Sequence, residues 1–149
     1  MSEVLRRAGP HDAALVRALT RAAYAKWVPL IGREPKPMTA DYEAAVVRDR
    51  IDLFYVDGAL AALIQLIEEP GCLLVENVAV SPDFQGRGYG RRMMAHAEAV
   101  AAELGLAKVR LYTNKAFAEN IALYLKLGYR LDGEEVLANG VRVDMSKAL

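Results

Sequence analysis

The chain reads as an α/β protein with a mixed, mostly antiparallel central sheet of about seven strands flanked by about four helices. Three observations predict this. Strand-like and helix-like runs follow one another in the order β-α-α-β-β-β-α-β-α-β-β. Asp57-Gly58 and Asn139-Gly140 each separate two strand-like runs, and such pairs favour tight hairpins because they tolerate positive φ. The apolar run ending in Val78-Ala79-Val80 breaks at Ser81-Pro82-Asp83 and, across three alternating glycines, gives way to an amphipathic helix from about Arg91.

The elements follow in order. Val4 to Ala8 is a short first strand. Pro10-His11-Asp12 opens a helix whose apolar positions are Leu15, Val16, Leu19, Ala22, Ala23 and Trp27, and Pro29 ends or kinks it. Ile31 to Met38 is a loop, since Pro35 and Pro37 prevent regular pairing. Thr39 caps a second helix over Tyr42 to Arg48. Leu53 to Val56 and Leu60 to Ile67 flank the Asp57-Gly58 turn, and Pro70-Gly71 leads into Leu73 to Val80. Met93, Met94, Ala97, Val100, Ala101 and Leu104 form one helical stripe that Gly105 stops. Val109 to Tyr112 is a strand, a short helix ends at Gly128, and Tyr129 to Leu137 and Val141 to Met145 flank Asn139-Gly140. No repeat or long linker divides the chain, so residues 1–149 are expected to form a single domain.

Composition excludes several classes. The chain is 54% hydrophobic and 26% charged, with 19 basic against 19 acidic residues, so it lacks the basic excess of a nucleic-acid binder. Cys72 is its one cysteine, which rules out an internal disulfide and a cysteine-based zinc cluster. His11 and His96 have no metal-ligand spacing, so no metal is expected. No run approaches the roughly 18 apolar residues of a membrane span, and the N-terminus has no apolar signal core. A cytoplasmic protein without a membrane partner is the expectation.

The chemistry lies in Gln85-Gly86-Arg87-Gly88-Tyr89-Gly90-Arg91. Glycine lets main-chain N–H groups converge with no Cβ in the way. A helix start adds unpaired N–H groups and a partial positive charge, so the segment suits a pyrophosphate. A nucleotide P-loop would need Gly-Lys-Ser/Thr, and here Arg91-Arg92 follows Gly90. A dinucleotide loop would need G-x-G-x-x-G and a later acid for the ribose, and neither is present.

Gln85-x-x-Gly88-x-Gly90 after Val78-x-Val80-x-Pro82 resembles the acyl-CoA loop of the GCN5-related N-acetyltransferase (GNAT) family. Asn120 to Tyr129, a helix ending in Leu-Gly-aromatic, resembles that family's second signature, and the element order agrees along almost the whole chain. Family members often place a helix Asn seven residues before the Tyr, where this chain has Phe117, so Asn120 and Asn114 are both candidates for the cofactor amide. The resemblance implies acetyl-CoA as donor, a primary amine (small molecule, peptide or protein) as acceptor and compatibility with a homodimer. It also implies that the fourth and fifth strands splay to admit the pantetheine arm.

On this reading Val78, Ala79, Val80, Gln85, Gly86, Arg87, Gly88, Tyr89, Gly90, Arg91 and Asn120 bind the cofactor. Tyr124 donates a proton to the departing thiolate, and it shares a helix face with Asn120 four residues earlier. Glu76 is the candidate general base, because attack on a thioester requires a neutral amine. Tyr24, Trp27 and Tyr42 fall where the resemblance places the acceptor, and their rings suit an amine. Lone Cys72 offers no covalent relay, which leaves direct attack in a ternary complex. The alternative is a catalytically inactive CoA-binding sensor or regulatory module.

Overall fold

The computed structural model describes residues 2–149. The strands are β1 (Glu3–Arg7), β2 (Arg50–Val56), β3 (Ala59–Glu69), β4 (Cys72–Val80), β5 (Lys108–Asn114), β6 (Arg130–Leu137) and β7 (Gly140–Ala148). The helices are α1 (Ala13–Tyr24), α2 (Val28–Ile31), α3 (Lys36–Thr39), α4 (Tyr42–Arg48), α5 (Tyr89–Glu103) and α6 (Ala118–Lys126). One sheet runs in the order β1-β2-β3-β4-β5-β7-β6. The pairs β1–β2, β2–β3, β5–β7 and β6–β7 are antiparallel, and β4–β5 is parallel. A parallel pair needs a crossover, and α5 supplies it.

The described residues form two compact units. One takes the chain up to Leu66 together with Asn77–Met93, and the other takes Ile67–Glu76 with Met94–Leu149. In the first, Val16, Leu19 and Ala23 of α1 pack with Tyr42, Ala45 and Val46 of α4 over Ile51, Leu53, Leu63 and Ala79. In the second, Met94, Ala97, Val100 and Ala101 of α5 are buried, as are Val109, Leu111, Val143 and Met145 of the strands.

The β2–β3 hairpin turns as its sequence predicts. Asp57 and Gly58 have φ of 49° and 83°, the left-handed pair of a type I′ turn. The β6–β7 hairpin is offset by one residue. Its two turn residues are Ala138 and Asn139, and Gly140 (φ 147°) already pairs with Leu137.

Four local expectations are corrected. α1 ends at Tyr24, so Trp27 lies in a 3₁₀ turn, and Pro29 stands in the first turn of α2, where its missing N–H has no helical acceptor to lose. The expected 31–38 loop contains the single turn α3, with Pro37 near its start. Asp41 rather than Thr39 caps α4, its carboxylate accepting from Ala44 N at 3.1 Å, while Thr39 Oγ1 turns back to Lys36 O. Leu15 and Leu104 are exposed. The buried line of α1 is Ala13, Val16, Leu19, Thr20 and Ala23.

Candidate active site

Within the first unit, the strand-to-helix loop is built by glycine conformation. Gln85 (φ −67°, ψ 151°) and Gly86 (φ 79°) form the central pair of a type II turn, whose third position excludes most side chains. Gly88 follows at φ 84°. A Cβ at Gly86 or Gly88 would meet nothing within 4 Å, so conformation and not crowding demands glycine there. The first helical bond of α5 runs from Arg92 N to Gly88 O at 3.1 Å. The N–H groups of Gly88, Tyr89, Gly90 and Arg91 therefore have no helical carbonyl behind them.

Side chains hold this loop in place. The Tyr89 ring is buried against Phe54 and Phe84, with centroids 5.6 and 5.9 Å away. Gln85 Nε2 donates to Val80 O at 3.0 Å, and its Oε1 accepts from Lys26 Nζ at 3.2 Å. Gln85 thus ties the loop down instead of presenting a free amide. Arg92 is committed to Glu3 at 2.7 and 2.8 Å and lies over Phe54. Arg87 is exposed over Phe84, and exposed Arg91 pairs with no carboxylate among the described residues. Two guanidinium groups and four orphan amides at one loop fit a diphosphate.

β4 carries Val78 and Val80 half-buried on either side of buried Ala79. The Val78 carbonyl accepts from Tyr24 OH at 3.2 Å. The β4–β5 ladder ends at Val75–Leu111, and beyond it Tyr112, Thr113 and Asn114 pair only with β7.

Asn77 is a buried polar residue beside the candidate site that sequence reasoning missed. It is 3% exposed and accepts from Tyr24 OH at 3.0 Å. It donates to Thr20 Oγ1 at 3.2 Å and Tyr42 OH at 3.4 Å. Tyr42 passes its own proton to Pro37 O at 2.6 Å. Tyr42 is 1% exposed, so it is a core residue that holds β4 and α4 together, with no open ring face. Trp27 is also buried and carries Lys26 Nζ 5.0 Å from its ring centre. Of the three aromatic candidates, Tyr24 alone is half-buried. A polar pair, Glu76-Asn77, in an otherwise apolar strand was the sequence signal for Asn77.

In the second unit, Glu76 is half-buried, and both its carboxylate oxygens accept from Tyr112 OH at 2.8 Å. Burial, then Glu76, pushes the Tyr112 phenol far above its ordinary range. The Arg142 guanidinium lies 5.1 Å from the Tyr112 ring centre.

Tyr124 of α6 is half-buried, and its ring meets Tyr129 edge-on at 6.2 Å. Its hydroxyl bonds to no group among the described residues, and burial raises its pKa to about 12. Asn120, one turn earlier, does not cap α6. Phe117 holds the N-cap position, and the Asn120 side-chain amide makes no hydrogen bond among the described residues. Asn114 Oδ1 already accepts from Ala116 N at 2.9 Å. Tyr129 OH donates to Glu98 at 3.1 Å, as does Lys147 at 2.9 Å, which fixes the ring beside Tyr124.

Cys72 is buried and donates to Glu69, and burial with that carboxylate raises its thiol, the reverse of an activated nucleophile. No group of three metal-ligating side chains gathers among the described residues. No helix of the described residues is long and apolar enough to cross a membrane.

The sequence model of the Acetyltransferase (GNAT) family matches residues 15–129. The chain belongs to the GNAT acetyltransferase family. GNAT proteins carry out acetyl-CoA-dependent N-acetylation. Among curated relatives, mouse N-alpha-acetyltransferase 80 is 40% identical over 76 residues, 51% of this chain and 23% of that protein. The chain thus spans about a quarter of that relative's length.

Solved GNAT structures share the fold. The PaiA N-acetyltransferase of Thermoplasma acidophilum, in complex with coenzyme A, aligns with a TM-score of 0.82 at 16% identity over 100% of both chains. The IAA acetyltransferase of Bacillus cereus aligns at 0.76 and 21% identity, over 99% of this chain and 100% of that one. The ribosomal-protein-S18-alanine N-acetyltransferase of Escherichia coli aligns at 0.75 and 19%, over 99% and 94%.

Proposed function

We propose that this chain, as a single domain, moves an acetyl group from acetyl-CoA to a primary amine by direct attack within a ternary complex. Bound acetyl-CoA supplies the activated thioester. The amides of Gly88 to Arg91 bind the diphosphate, assisted by Arg87 and Arg91, with Gln85, Gly86 and Tyr89 keeping the loop in shape. The β4 main chain from Val78 to Val80 aligns the pantetheine arm. The Asn120 amide, which makes no hydrogen bond among the described residues, serves the same arm in preference to Asn114, whose oxygen already accepts from Ala116 N.

Glu76 accepts a proton from the acceptor ammonium, which frees the nitrogen lone pair for attack. Tyr124 keeps its phenolic proton at neutral pH and gives it to the leaving sulfur. A phenol near pKa 12 is a weak acid, so a hydrogen bond to the developing thiolate is its first contribution. Tyr24 flanks the acceptor, and Tyr42 and Asn77 support it from below. The inert Cys72 thiol favours direct transfer over an acyl-cysteine relay.

The observation that carries the reading is the Tyr124 hydroxyl, on a half-buried residue and without a hydrogen-bond partner among the described residues. A purely structural tyrosine buries its oxygen against an acceptor. The test is CoA release from acetyl-CoA across a panel of small amines, amino acids and peptide N-termini. Turnover that Tyr124→Phe depresses supports the proposal. Acetyl-CoA binding without turnover on any amine leaves a sensor module instead.

A further inference from the structure

We infer that Tyr112 is the positioning residue of Glu76, whose phenol sets the direction in which that carboxylate takes its proton. The inference rests on Glu76 being the proton acceptor. Both Glu76 oxygens lie 2.8 Å from the same phenolic oxygen, which therefore sits on the perpendicular bisector of the carboxylate. Rotation of the carboxylate in either direction lengthens one of the two contacts. A glutamate on a bare strand has three free side-chain torsions, and this contact removes the last of them.

The phenol is itself held. Tyr112 pairs with Asp144 across the β5–β7 ladder. Arg142 lies over the ring, and its guanidinium forms ion pairs with Glu135 at 3.3 Å and Asp144 at 3.4 Å. The chain Asp144–Arg142–Tyr112–Glu76 crosses from β7 through β5 to β4 and holds a carboxylate whose one hydrogen-bond partner among the described residues is that phenol. Because the phenol remains protonated, it donates to the carboxylate and never competes for the proton Glu76 receives. The side of each oxygen facing away from Tyr112 is left for the ammonium or an intervening water.

A double-mutant cycle on the full chain tests this. Tyr112→Phe keeps the ring and the Arg142 contact and removes one oxygen. A misaimed base is expected to lower kcat about ten-fold. The KM for acetyl-CoA and the melting temperature stay at wild-type values. In a Glu76→Gln background, Tyr112→Phe is expected to cost nothing further, since the group it aims is already gone. An equal loss in both backgrounds overturns the inference, and so does an unimpaired Tyr112→Phe beside an impaired Glu76→Gln. If Glu76→Gln turns over at the wild-type rate, the base assignment itself fails, and the inference falls with it.

Discussion

Tyr24 donates its phenolic hydrogen to Asn77 Oδ1 at 3.0 Å, and this bond sets which way the buried amide points. The other side of the amide faces Thr20 and Tyr42. Tyr42 has already given its proton to Pro37 O, so it can only accept from Asn77. Replacing Asn77 by Leu keeps the volume and removes the amide from the buried Thr20 and Tyr42 hydroxyls, while Tyr24 keeps its bond to the Val78 carbonyl. The expected loss is about 1–3 kcal/mol by urea unfolding, because a buried polar group that loses its partner forfeits its desolvation. A loss under about 0.5 kcal/mol would show that the network contributes no more than an ordinary surface contact.

Tyr124→Phe separates catalysis from stability. The lost hydroxyl has no partner among the described residues, so stability should change by no more than about 0.5 kcal/mol. The rate should fall about 10- to 100-fold at unchanged coenzyme affinity, the range for a positioned proton donor. Steady-state kinetics with calorimetry of CoA binding check both halves.

Gly86→Ala and Gly88→Ala each force a Cβ into left-handed backbone, at φ 79° and 84°. Open space around both means that the cost is conformational alone, about 1–2 kcal/mol each. CoA affinity should drop in step, since relaxing the strain turns the amides aside. Gly9→Ala, also uncrowded but without positive φ, is the control and should bind normally.

Asp12 makes the acid limb of stability testable. The Arg6 guanidinium, then Gly9 N–H, lowers its pKa from 3.8 to about 2. A depressed folded pKa means that the folded state binds the proton less readily than the unfolded chain. Its contribution is thus complete above the unfolded value and lost as pH falls from about 4 through about 2. Urea midpoints of the wild type and Asp12→Asn should differ at neutral pH and converge near pH 2. A constant gap across that window would refute the assignment.

The sheet and its main helices were legible because they depend on periodicity and on turn chemistry, both local. Asp57-Gly58 marks its hairpin since only a few residues tolerate two successive positive φ values. The segment from Trp27 to Asp41 was misread for the opposite reason. Pro29 and Pro37 break a long helix yet suit the first turn of a short one, and sequence does not say which. The loop glycines were readable as a turn that demands positive φ, which Gly86 and Gly88 adopt. The Tyr112–Glu76 contact was not, because it joins residues 36 apart on strands brought together by a crossover. Asn77 likewise acquires its meaning from α1 and α4, which pack over it only in the folded chain.

Tyr89 belongs to the glycine-rich loop by its main chain and to the apolar interior by its ring. The loop therefore cannot drift in shape without disturbing Phe54 and Phe84. Its charge is free to drift, since Arg87 and Arg91 project outward. On the proposed reading of this loop, surface substitutions retune how strongly the protein grips its donor while the cradle is inherited unchanged.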